Sequence, residues 1–130
     1  MKILMLIVCV LALIHADEAT TGKVFRDYLA ECEKELPKVP GLPKELNVGI
    51  IFCAVKRTEA IDKNNALNRN KIMTNCENMI SDPVKVEQCQ DICNTCMDEG
   101  FKVPGSNFIQ TTRAIQCAVS YDVISLLDKE

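Results

Sequence analysis

The sequence predicts a compact all-α domain of about five helices, stapled by disulfides, and three observations lead there. Apolar residues recur at three- and four-residue steps along the chain, with no sustained period-two alternation. Proline and glycine gather in short breaks between the periodic segments. Eight cysteines are present in only 130 residues, and they are distributed among those segments, where they can tie one helix to another.

In the first periodic segment Phe25, Tyr28, Leu29, Cys32 and Leu36 share one face. Pro37 and Pro40-Gly41-Leu42-Pro43 then break the chain, because proline lacks the amide proton that a helix interior requires. A second helix is expected to start near Pro43 and to bury Leu46, Ile50, Cys53, Ala54 and Ile61. Asp62-Lys63-Asn64-Asn65 reads as a polar turn. A third helix carries Ala66, Arg69, Met73, Cys76 and Ile80 and ends at Ser81-Asp82-Pro83. Asp82 is a natural N-cap for a fourth, with Pro83 in the first turn; Val86, Cys89, Cys93, Cys96 and Met97 lie on one face of it. After Gly100 and Pro104-Gly105, Ser106 caps a last helix through Phe108, Thr112, Ile115, Cys117, Val119 and Ile124. The tail Asp128-Lys129-Glu130 is expected to fray.

Residues 1–16 read as a secretory signal peptide: Lys2, the apolar run Ile3 to Ile14, and small Ala16 at the expected cleavage point. The run is shorter than the roughly 20 residues of a membrane anchor. Residues 17–130 then form a single soluble, extracellular domain. Cys9 leaves with the leader, so seven cysteines remain. The sole histidine, His15, leaves too. That loss excludes a Ser-His-Asp triad, a Cys-His protease and a histidine metal site. The formal net charge of −3, with no basic block, argues against nucleic acid or an anionic membrane as partner. No carboxylate pair of the glycosidase kind is visible, and Asp98-Glu99 reads as a solvated helix end. No catalytic residue, metal or cofactor is expected.

Six cysteines could close three disulfides in any of 15 pairings. Each staple contributes about 3 to 5 kcal/mol in the chain-entropy model, enough for part of the interior to be a cavity. The seventh cysteine must be a free thiol, a bridge to another chain or a reactive group. Cys93-Asn94-Thr95-Cys96 has CxxC spacing, which at a helix N-terminus makes a redox pair; with Cys89 it could also be read as zinc thiolates. Here it lies mid-helix with no second CxxC, no histidine and an oxidising compartment, so the structural reading is preferred. Met73, Met79 and Met97 fit a core, or a pocket whose ligands vary in shape.

The cysteine blocks carry a resemblance. Ala30-Glu31-Cys32 with Leu36-Pro37-Lys38, Cys53-Ala54 with Lys56-Arg57, and Cys76 with Ile80, Asp82-Pro83, Val86 and Cys89 resemble the ant venom allergen 2/4 family of fire ants. The likeness runs on through Cys96 to Cys117-Ala118. It implies a fold like that of insect odorant- and pheromone-binding proteins, with a hydrophobic cavity between helices. It also implies secretion into venom, recognition by IgE in sensitised hosts, and carriage of a small hydrophobic ligand such as a pheromone, odorant or venom alkaloid. The pairing implied by the resemblance is Cys32 with Cys53, Cys76 with Cys96 and Cys89 with Cys117, leaving Cys93 as the free or intermolecular thiol. Two departures stand out. Val39 occupies the place where some members carry the cysteine that links two subunits, and this chain is acidic where the better-known members are basic.

The expected function is therefore a secreted, non-enzymatic carrier. Phe25, Leu29, Ile50, Met73, Ile80, Phe108, Ile115 and Val119 are the expected lining, by apolar character and helical face. The alternative is a venom component that acts through its surface or by oligomerising, for which Cys93 would supply a homodimer bridge.

Overall fold

Each of the five helices among the described residues begins at a side-chain cap, and the caps set the boundaries. The computed structural model describes residues 20–37 and 40–129; the expected leader, Val39 and Glu130 lie outside them. Helix α1 spans Gly22–Glu35, with Thr21 Oγ1 accepting from the Val24 amide at 3.2 Å. Helix α2, Val48–Arg57, is capped by Asn47 Oδ1 on the Ile50 amide at 3.2 Å. Helix α3, Arg69–Met79, is capped by Asn68. Helix α4, Pro83–Lys102, starts at Asp82 with Pro83 in its first turn, and α5, Asn107–Ser120, starts at Ser106. In each case the side-chain oxygen satisfies a backbone donor that the helix itself leaves unpaired.

Four sequence expectations are corrected here. The second helix starts at Val48, not near Pro43; Pro43 instead opens a short 3-10 turn, Lys44–Leu46. That helix ends at Arg57, so Ile61 lies beyond it, after Glu59 reverses the chain with φ 68°. Ile61 makes an antiparallel bridge with Leu67, which closes the turn over Asp62–Asn65. Asp62 Oδ1 there accepts from the amides of Asn64 and Ala66, at 2.8 and 3.0 Å. Ala66 thereby belongs to the turn and not to α3. The last helix stops at Ser120, where Asp122 turns left-handed (φ 54°), and Ile124 sits on a separate 3-10 turn, Val123–Leu126.

The tail is also corrected, because Asp128 is pinned. Its amide donates to Met79 O at 2.9 Å, and its carboxylate accepts from the Ser81 amide and hydroxyl. Those hydrogen bonds to Ser81 hold the carboxyl below its ordinary pKa. The Arg26 guanidinium, from α1, donates to the carbonyls of Ile124, Leu127 and Asp128 at 3.1–3.4 Å. Fraying entropy is thus opposed by charge-assisted bonds.

The core lies where α1 meets α2 and where α5 packs along α4. Leu29, Cys32 and Ala54 are wholly buried at its centre. Gly100 lets α4 and α5 touch: a Cβ there would stand 2.7 Å from Gln110 O and 2.9 Å from Ala114 Cβ. Arg57 of α2 bridges Glu31 and Glu35, one turn apart on α1.

Three disulfides join chain neighbours: Cys32–Cys53 (α1 to α2), Cys76–Cys89 (α3 to α4) and Cys96–Cys117 (α4 to α5). The pairing implied by the resemblance holds for Cys32 with Cys53 and is corrected for the other four. Cys76 and Cys89 flank the turn between α3 and α4 and face one another with Cα atoms 5.9 Å apart. Cys96 lies roughly 10 Å farther along the α4 axis than Cys89 at 1.5 Å per residue. That offset exceeds the Cα span a disulfide tolerates, and Cys96 instead meets Cys117 where α5 returns. Cys93 takes part in none of the three.

Candidate ligand-binding cavity

Helix faces that are apolar on both sides of a junction leave space where large side chains fail to interdigitate. Two such spaces adjoin here. One of about 90 Å³ lies among α1, α2, α4 and α5, and one of about 80 Å³ lies on the α3 side. They share a wall made of Phe25, Val55, Ile72, Cys93, Val123 and Ile124. Met97, Ala114 and Ala118 are among the further residues of the larger space, and Met79, Cys76 and Cys89 among those of the smaller.

Among the described residues, no charged side chain lines either space. The polar groups of the smaller one, Thr58 and Asn75, satisfy each other: Asn75 Nδ2 donates to Thr58 Oγ1 at 3.0 Å, and Thr58 Oγ1 donates to Val55 O at 2.7 Å. The Cys93 thiol is half-buried in the shared wall, and desolvation pushes it up to about 11. At neutral pH it is therefore a neutral, weakly polar surface, with little of the thiolate that metal binding or redox attack requires.

Of the expected lining, Phe25, Ile115 and Val119 reach the larger space. Leu29, Ile50 and Ile80 are instead buried in the solid core. Met73 is half-buried on α3 and lines neither space, although its backbone carbonyl accepts from Gln90. Phe108 is 52% exposed in the first turn of α5, where its ring lies 5.3 Å from that of Phe52. Ile51 and Val55, an i, i+4 pair on α2 beside the buried Ile50 and Ala54, also line the larger space, where the sequence reading did not expect them. Val123 and Ile124 escaped because they sit on a 3-10 turn with no helical period to read.

The CxxC spacing brings no redox pair together. Cys96 is bonded to Cys117, and residues three apart on a regular helix hold their Cβ atoms about 5–6 Å apart, beyond the 3.5–4.5 Å of a disulfide. The sulfurs of Cys76, Cys89 and Cys93 do lie within 4.8 Å of one another. Two of them are spent in a disulfide, however, and offer no thiolate to a metal.

The interior is thus a stapled, uncharged, largely apolar space, and the comparisons with known proteins place the chain that builds it. It is 24% identical over 131 residues to venom allergen 4 of Solenopsis geminata, covering 97% of this chain and 95% of that one. It is 28% identical over 105 residues to venom allergen 2 of Solenopsis richteri (78% and 88% covered) and 28% over 113 residues to venom allergen 2 of Solenopsis saevissima (82% and 81%). The profile of the Ant venom allergen Sol i 2 family matches residues 31–121, a span that takes in all three disulfides and most of the cavity wall, and the chain belongs to that family.

Proposed function

We propose that this protein is a secreted, non-enzymatic carrier that holds a small, electrically neutral, hydrophobic molecule in the paired spaces behind Phe25 and Cys93. That no charged side chain among the described residues lines these spaces supports this reading most directly. A cation placed there would lose its hydration without gaining a counter-ion, at a cost of several kcal/mol; an amine such as an alkaloid would enter as the neutral base. Size narrows the class further. Each space is smaller than the roughly 150 Å³ dry cavity that takes up benzene, so the wall between them must yield to a ring or a short chain.

The leader expected in residues 1–16 and the relatives' venom origin support secretion, and no helix among the described residues is long and apolar enough to cross a membrane. The relatives' designation as allergens supports recognition by IgE in sensitised hosts. Cys93 is set in the cavity wall and not on an open surface, which favours a carrier over a homodimer bridged at that residue.

The test is titration of the secreted protein with an uncharged, environment-sensitive naphthylamine probe, followed by displacement. Saturable binding is expected, with neutral alkanes, esters and alcohols displacing the probe at least tenfold better than permanently charged analogues. Absence of saturable binding by protein with its three disulfides intact refutes the carrier reading. Equal displacement by quaternary ammonium ligands refutes the neutral-ligand part.

A further inference from the structure

Three sulfurs meet where α3 lies against α4. The Sγ atoms of Cys76, Cys89 and Cys93 all lie within 4.8 Å of one another; the first two are joined and the third is a free thiol. A thiol held at that distance from a disulfide is placed for exchange, because encounter, normally the unfavourable part of a bimolecular step, is already achieved. We infer that Cys93 is an internal exchange nucleophile: its thiolate attacks Cys76 Sγ, forms a Cys76–Cys93 disulfide and expels Cys89.

The step balances without any outside reactant. One sulfur–sulfur bond breaks between Cys76 and Cys89, and one forms between Cys76 and Cys93. The electron pair of the broken bond leaves on the Cys89 sulfur, which takes up the proton that Cys93 gave up. Nothing is oxidised or reduced overall.

Helix geometry decides which sulfur is attacked. Cys89 and Cys93 stand four residues apart on α4, where Cβ atoms are about 5–6 Å apart. A disulfide needs about 3.5–4.5 Å, so a Cys89–Cys93 bridge would require α4 to unwind. The same holds for Cys93 with Cys96. Cys76 comes from the opposing helix and faces no such restriction. The α3–α4 staple therefore slides one turn along α4, and the free thiol moves from Cys93 to Cys89. The loop closed by the new bridge is only one turn longer, so loop length itself sets little difference between the two forms. Since all three sulfurs line the smaller cavity, the exchange redraws part of its wall. Burial of Cys93 among uncharged neighbours makes the step slow without removing it.

The experiment is thiol mapping of the oxidised, full-length secreted protein. Samples held at pH 8.5 without added thiol are quenched in acid, alkylated with N-ethylmaleimide, digested without reduction and mapped by mass spectrometry. The label should sit on Cys93 at the start and spread to Cys89 with time, while a Cys76–Cys93 peptide appears. The rate should not change over a tenfold range of protein concentration. Label confined to Cys93 at every time overturns the inference, and so does a rate proportional to concentration. In Cys89→Ser, a Cys76–Cys93 bridge and no free thiol are expected. Two free thiols in a variant that keeps its helical circular dichroism and its other two disulfides overturns it independently.

Discussion

Replacing Gly100 with alanine should destabilise the protein, although the same exchange in an ordinary helix interior stabilises it. Gly100 lies within α4, where alanine is favoured over glycine by about 0.8–1 kcal/mol. Here the added methyl group would stand 2.7 Å from Gln110 O, 2.9 Å from Ala114 Cβ and 3.0 Å from Ala114 N. Two of those three atoms belong to the α5 backbone, so a side-chain rotation cannot relieve the contact and α5 must shift as a body. Overpacking of this kind costs about 1–3 kcal/mol, and a forced move of backbone belongs at the upper end. The net expectation is a loss of about 1–2 kcal/mol, at about 4 °C of Tm per kcal/mol for a domain of this size. Urea unfolding with the disulfides intact measures it: the midpoint should fall with the slope unchanged. Gly49→Ala is the internal control. Near the start of α2 its new Cβ meets nothing closer than Asn47 Oδ1 at 3.4 Å, so that variant should be as stable as the parent or more so. If Gly100→Ala is as stable as Gly49→Ala, the close approach of α4 and α5 described here is wrong.

Other perturbations test other parts of the structure. Ala118→Leu should fill the larger cavity and weaken probe binding at least tenfold, with a Tm no more than a few degrees below the parent; undiminished binding would place the ligand elsewhere. Arg26→Ala removes three hydrogen bonds that anchor the C-terminal turn and should cost about 1–3 kcal/mol, seen first as faster hydrogen exchange at the Leu127 and Asp128 amides. Cys93 in the fold keeps its proton up to about 11, whereas the ordinary thiol releases it near 9.0. The folded state thus binds more protons in that window, and stability present in full below pH 9 is lost as pH rises towards 11, by about 2–3 kcal/mol; Cys93→Ala should flatten that decline. Asp128 has a depressed pKa, so its anchoring of Ser81 should persist above the ordinary carboxylate range and disappear as pH falls below it, which amide exchange at Ser81 would follow.

Local chemistry made much of this fold legible, and what it could not supply was phase and distance. Asp82-Pro83 and Ser106 start α4 and α5 as read, because a cap is a bond between residues two or three apart. Helix ends were harder. Glu59, Asn65 and Asp122 turn the chain with positive φ although none is glycine, so no breaker announced the stops that put Ile61 and Ile124 outside helices. Ile50, Ile51 and Ala54 of α2 are all buried, so its inward face is broader than the expected stripe, and Ile51 with the half-buried Val55, not Ile50, meets the larger space. Phe108 failed for another reason: a large ring at the first turn of a helix has no neighbouring turn to cover it, and it rests on Phe52 at the surface. The pairing that the resemblance implies departs from the structure at Cys76, Cys89, Cys96 and Cys117. Cys76 and Cys89 flank one short turn, and two facing helices bring such positions together more readily than a pairing that reaches Cys96.

The staples also explain how a domain this small tolerates a hollow. An empty space costs about 24 cal/mol per Å³ in lost contacts, so spaces of about 90 and 80 Å³ cost roughly 2 kcal/mol each. Against this, three disulfides closing separations of 21, 13 and 21 residues contribute about 3 kcal/mol apiece. The covalent term exceeds the packing deficit about twofold, and it falls on the helices that frame the deficit, since the sulfurs of Cys76, Cys89 and Cys96 are part of the lining. Reduction removes that excess while the apolar surfaces still attract. The reduced chain should therefore collapse its cavity before it loses its helices, and probe binding should disappear at reductant concentrations that leave far-ultraviolet circular dichroism largely intact.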